Sequence, residues 1–307
     1  TGKTPHAEYL LRLLSGKYHT GVLSRGYKRK TTGYLLAEEN STAEETGDEA
    51  LQVKKKFPAA AIAVCEERAI GIPIMLLDDP GLEVIILDDA FQHRNVKPGL
   101  SILLTDYSKL FTQDVLLPAG TLREPKQNAL RADAIVVTKC PVEISTGEKD
   151  KIIVELKQRA GQQVFFSGLQ YGDAYSLFHP ENKKAPGAAD AVLLVTGIAS
   201  PESLLEFVRS RVKNVKHLKF PDHHYFTYRD LKLIAEEYSA IPASSKMILT
   251  TEKDGVRLLT HDDYFLTHQL EISCMPVEAK FLSEEEEKFN FFVLNFIITK
   301  SGENPHD

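Results

Sequence analysis

Apolar positions recur along the first half of the chain with two alternating periods. Ala7, Leu10, Leu11 and Leu14 stand at helical spacing and predict a helix at the outset. HTGVLSRGY then reads as a strand running into a loop. EETGDEALQVKKKF predicts a helix with an acidic start and a basic end, a charge order that suits the helix dipole. AAAIAVC predicts a short buried strand, and EERAIGIPIMLLDD a weaker helix interrupted by Gly71 and Pro73. EVIILDD, SILLTDY and AIVVTKC predict three further strands, the first of them buried. Continuous apolar strands alternating with helices predict an α/β fold, a parallel sheet covered on both faces.

A polar stretch rich in Pro, Gly and Ala, HPENKKAPGAAD, then interrupts the pattern as a linker or exposed turn. Beyond it come strand AVLLVTG, helix SPESLLEFVRSRV, strand VKHLKF, helix YRDLKLIAEEYSA and strand KMILTT. The expected organisation is a core domain over 1–165, a linker over 166–190 and a smaller α/β domain over 191–307. EEEEKFNFFVLNFII closes the pattern as an acidic helix start followed by an apolar stretch, expected to pack on the core rather than enter a membrane.

Composition narrows the picture modestly. The 307 residues are 43% hydrophobic and 26% charged, enough to bury a sizeable core. A net charge of -6 argues against a nucleic-acid partner. SRGYKRK nevertheless concentrates Arg25, Lys28, Arg29 and Lys30, either as a solvated loop or as a contact for an anionic ligand or lipid headgroup. Cys65, Cys140 and Cys274 lie far apart without CxxC spacing, which fits a reducing compartment and neither a disulfide framework nor a zinc site. No apolar run reaches the roughly 20 residues needed to span a bilayer.

Several stretches carry candidate chemistry. Gly2, Lys3 and Thr4 fit the last positions of the phosphate-binding loop G-x-x-x-x-G-K-[ST], and a helical pattern follows at once. A match this short is common by chance. EVIILDDAFQHR strengthens it, because an apolar strand ending in Asp88 and Asp89 is where such enzymes hold the Mg²⁺ partner. TGDEAL places Asp48 and Glu49 at a predicted helix start, which the helix dipole explains by itself; a base for a hydroxyl nucleophile is the other reading. KFPDHHYFT carries Asp222, His223 and His224 between a strand and a helix. The adjacent histidines should point apart, Asp222 or Thr227 could cap the helix, and a His paired with a distant carboxylate stands as an alternative. LLPAGTLREPKQNALRAD offers Arg123 and Glu124, and LTTEKDGVRL offers Lys253 and Asp254, each weak alone.

Taken in order, TGKTP, SRGYKRK, GDEAL, ILDDAFQHR, LLPAGTLREP, FPDHH and TEKDGVR resemble the tetraacyldisaccharide 4'-kinase family across nearly the whole chain. The resemblance implies transfer of the γ-phosphate of ATP, with Mg²⁺, to the 4'-hydroxyl of a lipid A disaccharide precursor. It implies a phosphate-loop core, a smaller second domain with the active site between them, and peripheral contact with the cytoplasmic face of a Gram-negative inner membrane. No obligate protein partner is implied. By the same resemblance Thr1, Gly2, Lys3, Thr4 and Asp89 would hold the nucleotide, and Thr4 with Asp88 the metal. Asp48, His223 and Arg123 would be catalytic, and Arg25, Tyr27, Glu49, His93 and Glu124 would meet the substrate.

Family members also carry an upstream hydrophobic membrane-associating segment, the first strand and the Gly-rich half of the loop. The expectation is therefore of a truncated chain that binds ATP poorly or folds badly alone. Two other readings compete. One is another phosphate-loop nucleotidase such as a GTPase, although Pro141 in VVTKCP stands where the guanine-reading Asp belongs. The other is a non-catalytic membrane-associated binding protein.

Overall fold

A computed structural model describes residues 2–301. The chain divides into two compact units. The first joins the segments Thr1–Gly16, Asp88–Gln170 and Glu278–Asp307. The second joins Lys17–Leu87 and Tyr171–Val277.

In the first unit the opening helix, Lys3–Leu14, buries Ala7, Leu11 and Leu14 along one stripe. Strands Ile102–Asp106, Ala134–Thr138 and Gln163–Tyr171 pair in parallel, with Val277–Phe281 at the far edge of the same sheet. Ala134–Thr138, one of the two inner strands, is buried at every position. Ile135, Val137 and Phe166 pack with Ile152 and Leu156 of helix Thr146–Leu156, whose N-cap Ser145 accepts a hydrogen bond from the Glu148 N–H. The closing helix, Glu285–Ser301, packs as expected: Phe289 and Val293 are buried, and the Phe289 ring stacks on Phe281 at 4.2 Å. Among the described residues no helix is long and apolar enough to cross a membrane.

The second unit holds two sheets. One runs in the order Leu35–Leu36, Ala61–Val64, Thr20–Ser24, Val84–Leu87, and its last three strands are parallel. The other runs Asn214–Lys219, Ala191–Thr196, Lys246–Thr251, Ile272–Met275, Ala174–Ser176, Lys183–Lys184. Its first four strands are parallel and its last two antiparallel. Alternation along the two inner strands divides the core between two faces: Leu193, Val195 and Ile248 face one cluster, Val192, Leu194, Met247 and Leu249 the other. Helix Glu202–Arg209 covers the second face through Leu204 and Val208. Helix Tyr228–Ser239 covers the first through Leu231 and Ile234.

Three local expectations need correction. EETGDEALQVKKKF is two helices, Ala43–Thr46 and Asp48–Lys56, broken at Gly47 with φ 85° and ψ 152°, a conformation open only to glycine. EERAIGIPIMLLDD is one unbroken helix, Arg68–Asp78. Gly71 lets it approach the sheet, since a Cβ there would lie 2.8 Å from Cys65 and 3.0 Å from Leu23. Pro73 only strands the carbonyl of Ala69, an exposed residue. Val84–Leu87, expected to be buried, is half-buried along its length because it is an edge strand of its sheet.

All three cysteines are free and buried. Burial pushes the Cys140 thiol up to about 12 and the Cys274 thiol well above its ordinary value.

Candidate active-site groups

The first unit presents an ion pair at the head of its opening helix. Gly2 turns left-handed, φ 72° and ψ 33°, and Lys3 begins the helix. No acid lies in the first turn and, among the described residues, no side chain caps it, a helix head whose N–H groups favour an anion. Lys3 Nζ lies 3.1 Å from Asp89 Oδ1, with both side chains partly exposed. Asp89 follows the strand Val84–Leu87 with φ 49°, an uncommon conformation for a residue other than glycine. Asp88 and Thr4 are half-buried. Thr1, assigned to the nucleotide from the sequence, lies outside the described residues.

His6 braces this turn. Its Nδ1–H donates to the Gly2 carbonyl at 2.7 Å, and its Nε2 accepts from the Ser167 hydroxyl at 2.8 Å. A carbonyl can only accept, so the proton sits on Nδ1. Burial outweighs the Gly2 bond and lowers the His6 pKa to about 4.

Three more sequence-derived candidates stand in the same unit. Arg123 Nη1 reaches Gln92 at 3.5 Å. Glu124 is held on three sides, by Arg94 at 3.1 Å, Arg131 at 2.7 Å and Asn128 at 2.7 Å. His93 is half-buried in the turn after Asp89.

The second unit unites residues from distant parts of the sequence. His223 Nδ1 lies 2.9 Å from Asp48 Oδ2, and both side chains are largely buried. Gly47 sets the start of Asp48's helix. Val256 of helix Glu252–Leu258 packs with Leu51 of that helix. His223 sits at φ 57° and its N–H donates to the Gly197 carbonyl at 3.0 Å. The ring edge of Tyr27 approaches the imidazole at 5.1 Å. The adjacent His224 turns elsewhere, to Asp230 at 3.0 Å. Thr227 caps the helix that follows, as one of the two expected candidates.

A second layer surrounds the pair. Lys253 Nζ lies 2.9 Å from Glu49 Oε1 and 3.3 Å from His223 Nε2. Arg257 Nε lies 3.7 Å from Asp48 Oδ2, and its Nη2 donates to the Gly197 carbonyl at 3.1 Å and to Asp254. Asp254 is fully buried and also accepts from the Gly197 N–H at 3.0 Å and the Thr251 hydroxyl at 2.6 Å. Burial acts to raise the Asp48 pKa, but the His223 hydrogen bond and the charges of Lys253 and Arg257 outweigh it, so the carboxyl is held below its ordinary value. Asp48 is therefore an anion at neutral pH.

Part of the basic loop is committed to structure. Arg29 pairs with Glu66 at 2.5 Å, Lys30 with Glu44 at 2.6 Å, and Lys28 donates to the Asp222 carbonyl at 3.3 Å. Arg25 is exposed. His6 and Arg257 are not singled out by sequence, and Lys253 and Asp254 are weak candidates on sequence alone. A usable signal was present in TEKDGVR: Thr251 and Asp254 have capping spacing, which predicts a helix, and Lys253 and Arg257 then share one face of it.

A helix-headed lysine paired with a strand-end aspartate, on a largely parallel α/β frame, defines a phosphate-loop kinase. The chain belongs to the tetraacyldisaccharide-1-P 4'-kinase family, whose sequence model matches residues 1–297. It is 43% identical over 310 residues to a tetraacyldisaccharide 4'-kinase of Bacteroides thetaiotaomicron, covering 97% of this chain and 81% of that one. A tetraacyldisaccharide 4'-kinase of Flavobacterium johnsoniae is 42% identical over 299 residues, covering 97% of this chain and 84% of its own. A crystal structure of LpxK from Aquifex aeolicus in complex with ATP superimposes with a TM-score of 0.69 at 27% identity, over 96% of this chain and 84% of that one.

Proposed function

We propose that this chain transfers the γ-phosphoryl group of ATP to the 4'-hydroxyl of a tetraacyldisaccharide 1-phosphate, a lipid A precursor. Family membership fixes the reaction class, and the buried Asp48–His223 pair is the observation that supports a residue-level reading of its chemistry.

In the first unit, Lys3 and the N–H groups of the helix head bind the phosphates, with Asp89 holding the lysine in place between turnovers. Thr4 and Asp88 would hold Mg²⁺. No cluster of three or more His, Cys, Asp or Glu able to hold a metal occurs among the described residues. Mg²⁺ takes one or two carboxylates and completes its shell with substrate phosphates and water, which one carboxylate and one hydroxyl suit. When bound, it draws negative charge from the phosphate oxygens. Arg123 adds a cation for the transferred group.

In the second unit, Asp48 accepts the hydroxyl proton. A carboxylate with a depressed pKa is a weak base, but phosphoryl transfer through a loose transition state demands little basicity before the bond to phosphorus forms. What matters is an anion aimed at the hydroxyl, and His223 aims it by donating Nδ1–H to one carboxylate oxygen. Tyr27, Arg25, Glu49, His93 and Glu124 are assigned to the sugar and its existing phosphate. Because the acceptor carries fatty-acyl chains, we place the reaction at the cytoplasmic surface of the inner membrane.

The test is transfer of label from [γ-³²P]ATP to the disaccharide 1-phosphate in detergent or vesicles. Labelled product that carries a 4'-phosphate is expected. Hydrolysis of the nucleotide without a phosphorylated lipid would overturn the reading.

A further inference from the structure

We infer that Lys253 is a positioning residue that, together with the Asp48 carboxylate, fixes the tautomer of His223, and this rests on the kinase reading above. An ammonium group has three donors and no acceptor. At 3.3 Å from Lys253, His223 Nε2 can complete a hydrogen bond only with its lone pair. The imidazole proton then belongs on Nδ1, where it points at Asp48 Oδ2 at 2.9 Å. With the opposite tautomer, two lone pairs would face each other across that distance and a proton would face an ammonium. An imidazolium would place a second cation beside Lys253.

Every group facing the ring bears on this balance. Asp48 and Glu49 come from helix Asp48–Lys56, Lys253 and Arg257 from helix Glu252–Leu258, Tyr27 from the basic loop, and Asp222 from the residue before His223. Asp222 works in the opposite direction, because its carboxylate lies 3.8 Å from Nε2 and would favour a proton there. Lys253 prevails for two reasons. It is closer, and its side chain is 19% exposed where that of Asp222 is 42% exposed and screened by water. Glu49 holds the ammonium in place at 2.9 Å. Arg257, anchored on Asp254 and the Gly197 carbonyl, holds the far side of Asp48. The basic pair Lys253 and Arg257 thus acts through the two catalytic side chains, one on each.

Imidazole ¹⁵N NMR of the full chain at neutral pH tests this directly. Ten histidines share the spectrum, and subtraction of His223→Gln assigns the relevant pair of nitrogens. The parent should show a protonated Nδ1 and a lone-pair Nε2 at His223. Lys253→Met should lose that pattern and lower kcat by roughly 10- to 100-fold, with the KM for ATP within about twofold. Lys253→Arg keeps the donor charge and should restore both the pattern and most of the rate. A protonated Nε2 in the parent overturns the inference, as does an unchanged tautomer or an unchanged kcat in Lys253→Met. Failure of a folded Lys253→Arg to restore the pattern also overturns it. A parent chain that transfers no phosphate defeats the kinase reading instead, and the tautomer is read without turnover.

Discussion

His223 Nδ1 and Asp48 Oδ2 stand 2.9 Å apart although 175 residues of sequence separate them. The contact is made by two backbone devices that ordinary residues rarely adopt. Gly47, at φ 85°, sets the start of the helix that carries Asp48, and the left-handed turn at His223 aims the imidazole back at it. A pair assembled this way is sensitive to either partner. Asp48→Asn and His223→Ala should each lower kcat by about 10²- to 10⁴-fold while leaving the KM for ATP nearly unchanged. The double variant should be little worse than either single one. Steady-state kinetics on the lipid acceptor measure this, and parental turnover by either variant removes the assignment.

Lys3 should behave differently. Its ammonium sits at the head of the opening helix and pairs with Asp89, a partly exposed partner. Lys3→Met is expected to raise the KM for ATP and lower kcat together, because the proposed role puts this lysine on both the ground-state nucleotide and the transferred group. Its effect on thermal stability should be under about 1 kcal/mol, as for exposed ion pairs generally. Nucleotide titration alongside thermal unfolding separates the two effects.

The buried His6 predicts how the first unit responds to acid. Its folded pKa of about 4 lies below the ordinary 6.5, chiefly through burial. Between these values the unfolded chain binds the proton and the folded one does not, so stability falls as pH drops below the unfolded value. The loss levels off near the folded value. From about pH 7 to about pH 5 the cost is roughly 2 kcal/mol. His6→Gln should flatten that part of the curve, whatever it does to stability at neutral pH. Denaturant melts at the two pH values provide the comparison, and an equally steep slope in the variant would contradict it.

Arg257 makes the strongest stability prediction in the second unit. Its side chain is 2% exposed and faces Asp254, which is fully buried. Arg257→Leu removes the cation and leaves that buried carboxylate to its hydrogen bonds from the Gly197 N–H and the Thr251 hydroxyl, at a cost of about 3–5 kcal/mol. Replacing both, as Arg257→Leu with Asp254→Asn, should recover part of the loss, and equilibrium unfolding of the set measures the recovery.

Much of this architecture was legible in the sequence. Long apolar runs such as AVLLVTG and AIVVTKC read as strands, and they form strands buried at every position. The acid-tipped EVIILDD marked its strand correctly but not its burial, because edge position depends on which strand pairs with which, and periodicity carries no such information. The short antiparallel strands Ala174–Ser176 and Lys183–Lys184 were invisible for a similar reason: they are stabilised by a neighbour and not by their own pattern. At the candidate site, Asp48 and His223 could be matched to each other only through resemblance, since nothing in GDEAL or FPDHH names its partner. Lys253 and Arg257 were harder still. Their importance comes from a helix packing that brings TEKDGVR against GDEAL through Leu51 and Val256.

The three inaccessible sulfhydryls have a practical corollary. With Cys140 and Cys274 kept protonated far above neutral pH and Cys65 buried, the native chain offers maleimides almost no background. One cysteine placed at exposed Leu77 and another at exposed Val142 would be the sole sites for a donor and an acceptor dye, one in each unit. Fluorescence energy transfer between them could then follow the molecule through a catalytic cycle without first stripping it of its natural thiols.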